Sequence, residues 1–99
     1  MIVVNGIVKS THEDIVALQG AISAMETASR EEDGCLDYTF SVELSDPTVI
    51  RITEKWKTLD ALKAHFNTPH MAEFQTTMGS RPPASMDVNF YEVNEIQPF

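Results

Sequence analysis

A chain of 99 residues with 42% apolar side chains has room for one domain, residues 1–99, and for a packed core. Fifteen acidic residues against seven Lys and Arg give a formal charge of −8, a field that repels phosphate backbones and anionic lipid, so no nucleic acid and no membrane partner is expected. Nothing approaches an apolar run of membrane-spanning length, Met1 to Gly6 reads as a first strand rather than an export leader, and a single cysteine, Cys35, permits neither an internal disulfide nor a cysteine-based zinc cluster. The expected location is cytoplasmic.

Residues 2–8, β-branched and mostly apolar, suit a strand covered on both faces. Ser10-Thr11-His12-Glu13 matches a capping box, with Ser10 as the cap. Ile15, Leu18, Ile22 and Met25 then recur at helical spacing, and the pattern stops before Gly34, a residue suited to a left-handed helix end. The acidic run Glu31-Glu32-Asp33 reads as a solvated helix end.

From Cys35 to Leu44 the chain alternates, with Leu36, Tyr38, Phe40, Val42 and Leu44 predicted on one face. Ser45-Asp46-Pro47 supplies a turn, and Thr48 to Trp56 alternates again, placing Ile50, Ile52, Glu54 and Trp56 together. Thr58 caps a short helix carrying Leu59, Leu62 and Phe66, while Thr68-Pro69 restarts the chain as the cap and first turn of a helix striped by Met71, Phe74 and Met78. Gly79 to Ser85 is a loop, and Asp87 to Ile96 a last strand. The order βαββαβ predicts an α+β, ferredoxin-like domain with an antiparallel four-stranded sheet and helices on one side. The opposite sheet face, with Asp37, Thr39, Ser41, Glu43, Arg51, Thr53 and Lys55, is polar, and pattern alone leaves open whether it is solvated or packed on another sheet.

The run from Glu32 to Tyr38, followed by Asp46-Pro47, Glu54-Lys55-Trp56 and His65-Phe66-Asn67-Thr68-Pro69-His70, resembles the antibiotic biosynthesis monooxygenase domain family in order and spacing, over nearly the whole chain. The resemblance implies a homodimer in which two sheets pack as a dimeric α/β barrel, each protomer holding a cavity between sheet and helices. It also implies several activities on one fold: oxygenases of quinols that need neither metal nor flavin, haem-degrading enzymes, and an isomerase of a phosphorylated sugar-like signal.

Among candidate site residues, His65 stands at a helix end, where it either faces the cavity as a base for a phenolic proton or caps the last carbonyls. His70 is a second candidate for the proton path, against the plainer reading of a first-turn residue facing solvent. Glu54 shares a face with apolar residues, so it must be paired or have a raised pKa, and a bond to His65 or a backbone amide is expected. Tyr38 and Trp56 are candidates to stack on a flat substrate, and Phe40, Phe66, Phe74 and Met78 to line the interior. Asn5, in an apolar strand, either orients a substrate oxygen or makes a backbone contact.

No metal is expected, because His65 and His70, five apart with Pro69 between them, match no established ligand pattern. Gln75 stands where the resemblance would place the histidine of a haem-degrading member, and amide is no substitute for imidazole. Cys35 reads as a small buried hydrophobe. The leading expectation is a cofactor-independent monooxygenase that brings dioxygen to a small apolar or aromatic, quinol-like substrate, with His65 as base and Glu54 orienting it. The alternative is an isomerase of a small carbonyl compound or a non-catalytic binding module. A basic cluster in the cavity would mark a phosphorylated ligand, and only Arg51, Lys55 and Arg81 are available for one.

Overall fold

A computed structural model describes all residues, 1–99. The elements run β1 (Ile2–Lys9), α1 (His12–Arg30), β2 (Cys35–Glu43), β3 (Asp46–Trp56), α2 (Leu59–His65), α3 (Pro69–Gly79) and β4 (Ser85–Glu92). The four strands form one antiparallel sheet in the order β2-β3-β1-β4, the ferredoxin-like arrangement that the element order predicts. No helix is long and apolar enough to cross a membrane.

The alternation of β1 and β3 decides which side of the sheet is covered. Val4, Val8, Ile50, Ile52, Glu54 and Trp56 are buried, while Asn5, Arg51 and Lys55 point out of the opposite face. Against the covered face α1 sets Ile15, Leu18 and Met25, and α2 sets Leu62. Met25, Leu62, Tyr38, Trp56, Val4 and Ile2 make one core cluster, and Val8, Ile15, Ile50 and Ile52 a second, with Phe40 packed against both.

Helix α1 also closes the sheet edge. The outward backbone of edge strand β2 would otherwise be unpaired, but Glu26 accepts the Phe40 amide at 2.9 Å and Arg30 Nε donates to the Tyr38 carbonyl at 3.0 Å. Two residues one turn apart on the helix thus fasten the strand that carries Tyr38.

Four local expectations are corrected. The cap of α1 is Thr11, whose hydroxyl accepts from the Asp14 amide, one residue beyond the predicted Ser10. Leu36, expected beside Tyr38, is half exposed, because a bulge between Cys35 and Asp37 leaves it without a β3 partner and turns it outward. Val42 and Leu44 are exposed as well, since the β2-β3 hairpin extends to a two-residue turn at Leu44-Ser45 and β3 already begins at Asp46. The last strand ends at Glu92 rather than Ile96; beyond it only the Val93 amide bonds back, to the Met1 carbonyl.

The caps Thr58 and Thr68 form as predicted, accepting from the Ala61 and Met71 amides. Gly34 takes the left-handed backbone at φ 85°, and a Cβ there would lie 2.7 Å from the Cβ of Ala61 on α2. Replacement Gly34→Ala is therefore expected to cost at least the ~1–2 kcal/mol of a left-handed L-residue, before the Ala61 clash is added. A melting temperature equal to that of the wild type would show that this turn does not set how closely α2 approaches.

Candidate functional site

Two adjoining features occupy the covered side of the sheet. The first is a cavity of about 470 Å³ between the sheet, α3 and the loop before β4, with 12 hydrophobic residues among its 17 lining residues. Phe40, Ile50, Ile52, Phe74, Met78 and Phe90 supply most of the apolar wall, and Phe66 and Phe90 meet at its edge with ring centroids 6.3 Å apart. Its polar side chains are Tyr38, Glu54 and Gln75; no Lys, Arg or His lines it.

Glu54 is the wall's only carboxylate. Strand pairing places it between Val4 on β1 and Tyr38 on β2, and it is 8% exposed. Trp56, two residues on and therefore on the same face, donates its indole N–H to Glu54 Oε1 at 2.9 Å. Burial raises the Glu54 pKa above its ordinary value; the Trp56 bond and the charge of His65 act in the opposite sense, and Glu32 reinforces the rise. Burial likewise raises the Tyr38 pKa, with Glu54 adding to the effect, so Tyr38 is held as a protonated phenol able to donate.

The second feature lies behind this wall. Glu32 Oε2 is 2.6 Å from His65 Nδ1 and 2.7 Å from His70 Nε2. A carboxylate offers only lone pairs, so each ring nitrogen facing it carries a proton, His65 at Nδ1 and His70 at Nε2. The His65 ring is fully buried, packed against Trp56 and Tyr38 at centroid distances of 4.9 and 5.3 Å, and its Nε2 has no hydrogen-bond partner.

Local sequence explains how the two histidines meet one carboxylate. The Thr68 hydroxyl, which accepts from the Met71 amide to cap α3, also donates to the His65 carbonyl at 2.8 Å. One residue thereby ends α2 and starts α3, turning His65 and His70 toward the same point. Glu32 is held there by the turn after α1, where its amide bonds the Ser29 carbonyl and its own carbonyl accepts from Cys35.

Of the residues singled out in the sequence, Tyr38, Phe40, Glu54, Phe66, Phe74 and Met78 line the cavity. Trp56 does not: it is fully buried beneath the wall, and its contribution is the bond that holds Glu54. Asn5 is exposed on the opposite sheet face, as strand alternation requires once Val4 is inside. His65 and His70 do not line the cavity, and His65 bonds Glu32 rather than Glu54. Glu32 is the residue that sequence reasoning missed, because its neighbours Glu31 and Asp33 are indeed exposed while its own side chain is only 13% so. The available signal was Gly34 two residues later, which folds the segment back against α2. Cys35 is partly buried with its thiol pKa raised, chiefly by burial.

Replacing His65 by Ala is expected to remove a core side chain and one of the two donors to Glu32, lowering stability by at least the ~1–3 kcal/mol of an unmet buried polar group. His70→Ala should cost clearly less, since that ring is 26% exposed and water can take its place. Denaturant midpoints for the two variants test this, and equal losses would contradict the burial difference.

The sequence profile of the antibiotic biosynthesis monooxygenase family matches residues 1–77. A candidate antibiotic biosynthesis monooxygenase of Deinococcus radiodurans superposes with a TM-score of 0.90 and 27% identity, covering 100% of this chain and 98% of its own. One from Nitrosomonas europaea has the same fold at a TM-score of 0.86 and 21% identity, over 94% and 98% of the two chains. An uncharacterised protein of Synechocystis sp. is 29% identical over 69 residues, which are 70% of this chain and 47% of that one, so the matched region spans about half of that relative. With a matching profile over most of its length and a shared fold from end to end, the chain belongs to the antibiotic biosynthesis monooxygenase family.

Proposed function

We propose that this protein oxygenates a small, uncharged, electron-rich aromatic of the phenol or quinol class, with Glu54 as the base. The observation that carries the reading is one buried carboxylate of raised pKa on a largely apolar cavity wall. Family membership supports a monooxygenase-like role in general. The cavity supports the narrower substrate class: Arg51 pairs with Glu43, Arg81 with Asp14, and Lys55 is exposed, so none of the three cations reaches the wall to hold a phosphate.

In this mechanism Glu54 takes the phenolic proton and Tyr38 donates to a substrate oxygen. The phenolate is electron-rich enough to attack dioxygen from a ring carbon. Cleavage of the O–O bond leaves one oxygen as a new carbonyl while the other departs as water with the displaced ring hydrogen and the phenolic proton. A quinol plus O₂ thus gives a hydroxyquinone plus H₂O, with all four electrons drawn from the substrate and none from a metal or flavin. The apolar wall excludes water from the carbanionic intermediate. The roles of the two candidate groups are accordingly exchanged from those expected: Glu54 faces the substrate, and His65 supports the wall from behind.

Oxygen uptake against a panel of quinols, with an anaerobic control, tests the reading; turnover of a carbonyl compound without oxygen uptake would favour an isomerase instead. Glu54→Gln keeps an acceptor for Trp56 and should lower turnover by roughly 10²- to 10⁴-fold. Wild-type turnover should rise with pH through a midpoint above the ordinary glutamate value of 4.5. Stability should move the other way. A raised folded-state pKa stabilises most below 4.5 and is lost as pH climbs through the folded value, so Glu54→Gln should match or exceed wild-type stability at neutral pH and lose that advantage in acid. A variant with normal oxygen uptake would remove Glu54 from the mechanism.

We also propose that a second copy of the chain covers the open sheet face, where Val3, Ile7 and Tyr91 lie between Asn5, Arg51 and Asn89. Sedimentation should show a dimer at micromolar concentration, and Arg51→Glu together with Tyr91→Ala should shift it toward monomer. A wild-type chain that sediments as a monomer would rule this out.

A further inference from the structure

We propose that Glu32, His65 and His70 form a binding site for a divalent transition-metal ion of the zinc class, separate from the cavity. Their ligand atoms all lie within 4.8 Å of one another, and each comes from a different segment: the turn after α1, the end of α2 and the first turn of α3. Two imidazoles and one carboxylate are a donor set that suits borderline divalent ions, three protein ligands leaving an open position for water. None of the three lines the cavity.

The metal-free arrangement is a collapsed form of such a site. The 2.6 and 2.7 Å separations are hydrogen bonds, in which two ring protons stand where an ion would. An ion held at ~2.0–2.1 Å from each donor replaces those protons and, with tetrahedral geometry, sets the donors ~3.3 Å apart, roughly 0.7 Å further than now. The site allows that movement on one side only. His65 is locked between Trp56 and Tyr38, whereas His70 is 26% exposed on a first helical turn and can retreat while giving water access to the open position. A rigid buried ligand beside a mobile outer one reduces the ordering cost of binding.

Electrostatics also favours a cation. Glu31 and Asp33 flank Glu32 in sequence, and the chain carries a net charge of −8. No Lys or Arg bonds the Glu32 carboxylate; its partners are the two histidines. A bound ion would tie the helical segment α2-α3 to the α1-β2 turn, to which the two histidines are now joined by one hydrogen bond each.

Calorimetric titration of chelator-stripped full-length protein with zinc should show one ion per chain, with a dissociation constant of about 1 μM or tighter. Cobalt(II) at the same site should give the intense visible absorption of a low-symmetry four-coordinate ion. Glu32→Gln and His70→Ala should each weaken binding by more than the ~10- to 100-fold that loss of an outer hydrogen-bond partner costs. His12→Ala, which removes the chain's remaining histidine from the exposed start of α1, should bind as the wild type does. Circular dichroism accompanies each variant; if Glu32→Gln does not fold, His70→Ala at its partly exposed position decides. Absence of zinc binding up to millimolar concentration, or equal binding by His70→Ala and wild type, overturns the site. Because the measurements read binding and not turnover, their outcome is independent of whether the cavity oxygenates quinols.

Discussion

A carboxylate on the covered face of a small sheet is the constraint around which the rest of the site is arranged. Glu54 sits between Ile52 and Trp56 on β3 and is 8% exposed, in a domain with few other places to shelter a charge. Leaving it without partners would cost several kcal/mol of desolvation. The chain meets that cost locally: the indole two residues later reaches back to one oxygen, and the imidazole packed on that indole contributes a favourable field. What remains is a carboxyl group with a raised pKa facing a mostly apolar space, an environment suited to a general base.

That arrangement is only as rigid as the elements behind it. Trp56 is positioned by the end of β3 and by the His65 ring, His65 by Glu32, and Glu32 by the turn that Gly34 permits. On the other flank, Tyr38 is held by an edge strand whose free backbone groups are taken up by Glu26 and Arg30. The polar contacts that hold Glu54 and Tyr38 thus come from behind the cavity, whose wall, apart from Tyr38, Glu54 and Gln75, is made by side chains that supply shape and dryness.

Much of this was legible in the sequence, and the parts that were not share a cause. Alternation in β3 placed Ile50, Ile52, Glu54 and Trp56 on one face without error, because an unbroken strand keeps its period of two. The same logic failed for Leu36, since a bulge adds one residue and nothing in the local pattern marks it. Thr58 and Thr68-Pro69 were readable as caps because capping is a contact across three residues. The partner of His65 was not, because Glu32 lies 33 residues away and its acidic neighbours gave it the look of a solvated helix end. Periodicity reports which way a side chain points; it does not report which of several distant acids a buried histidine will meet.

The break between α2 and α3 shows how one local choice serves both features. A continuous helix would space His65 and His70 five residues apart, about 140° around the axis, so that the rings diverge. Thr68 and Pro69 end one helix and begin another, and the change of direction lets both rings converge on Glu32. The same change sends α3 across the sheet, where Met71, Phe74 and Met78 become a wall of the cavity. The convergent histidines and the apolar wall are thus consequences of a single interruption: the first turn of α3 that presents His70 to Glu32 also carries Met71, the next residue, into the cavity wall.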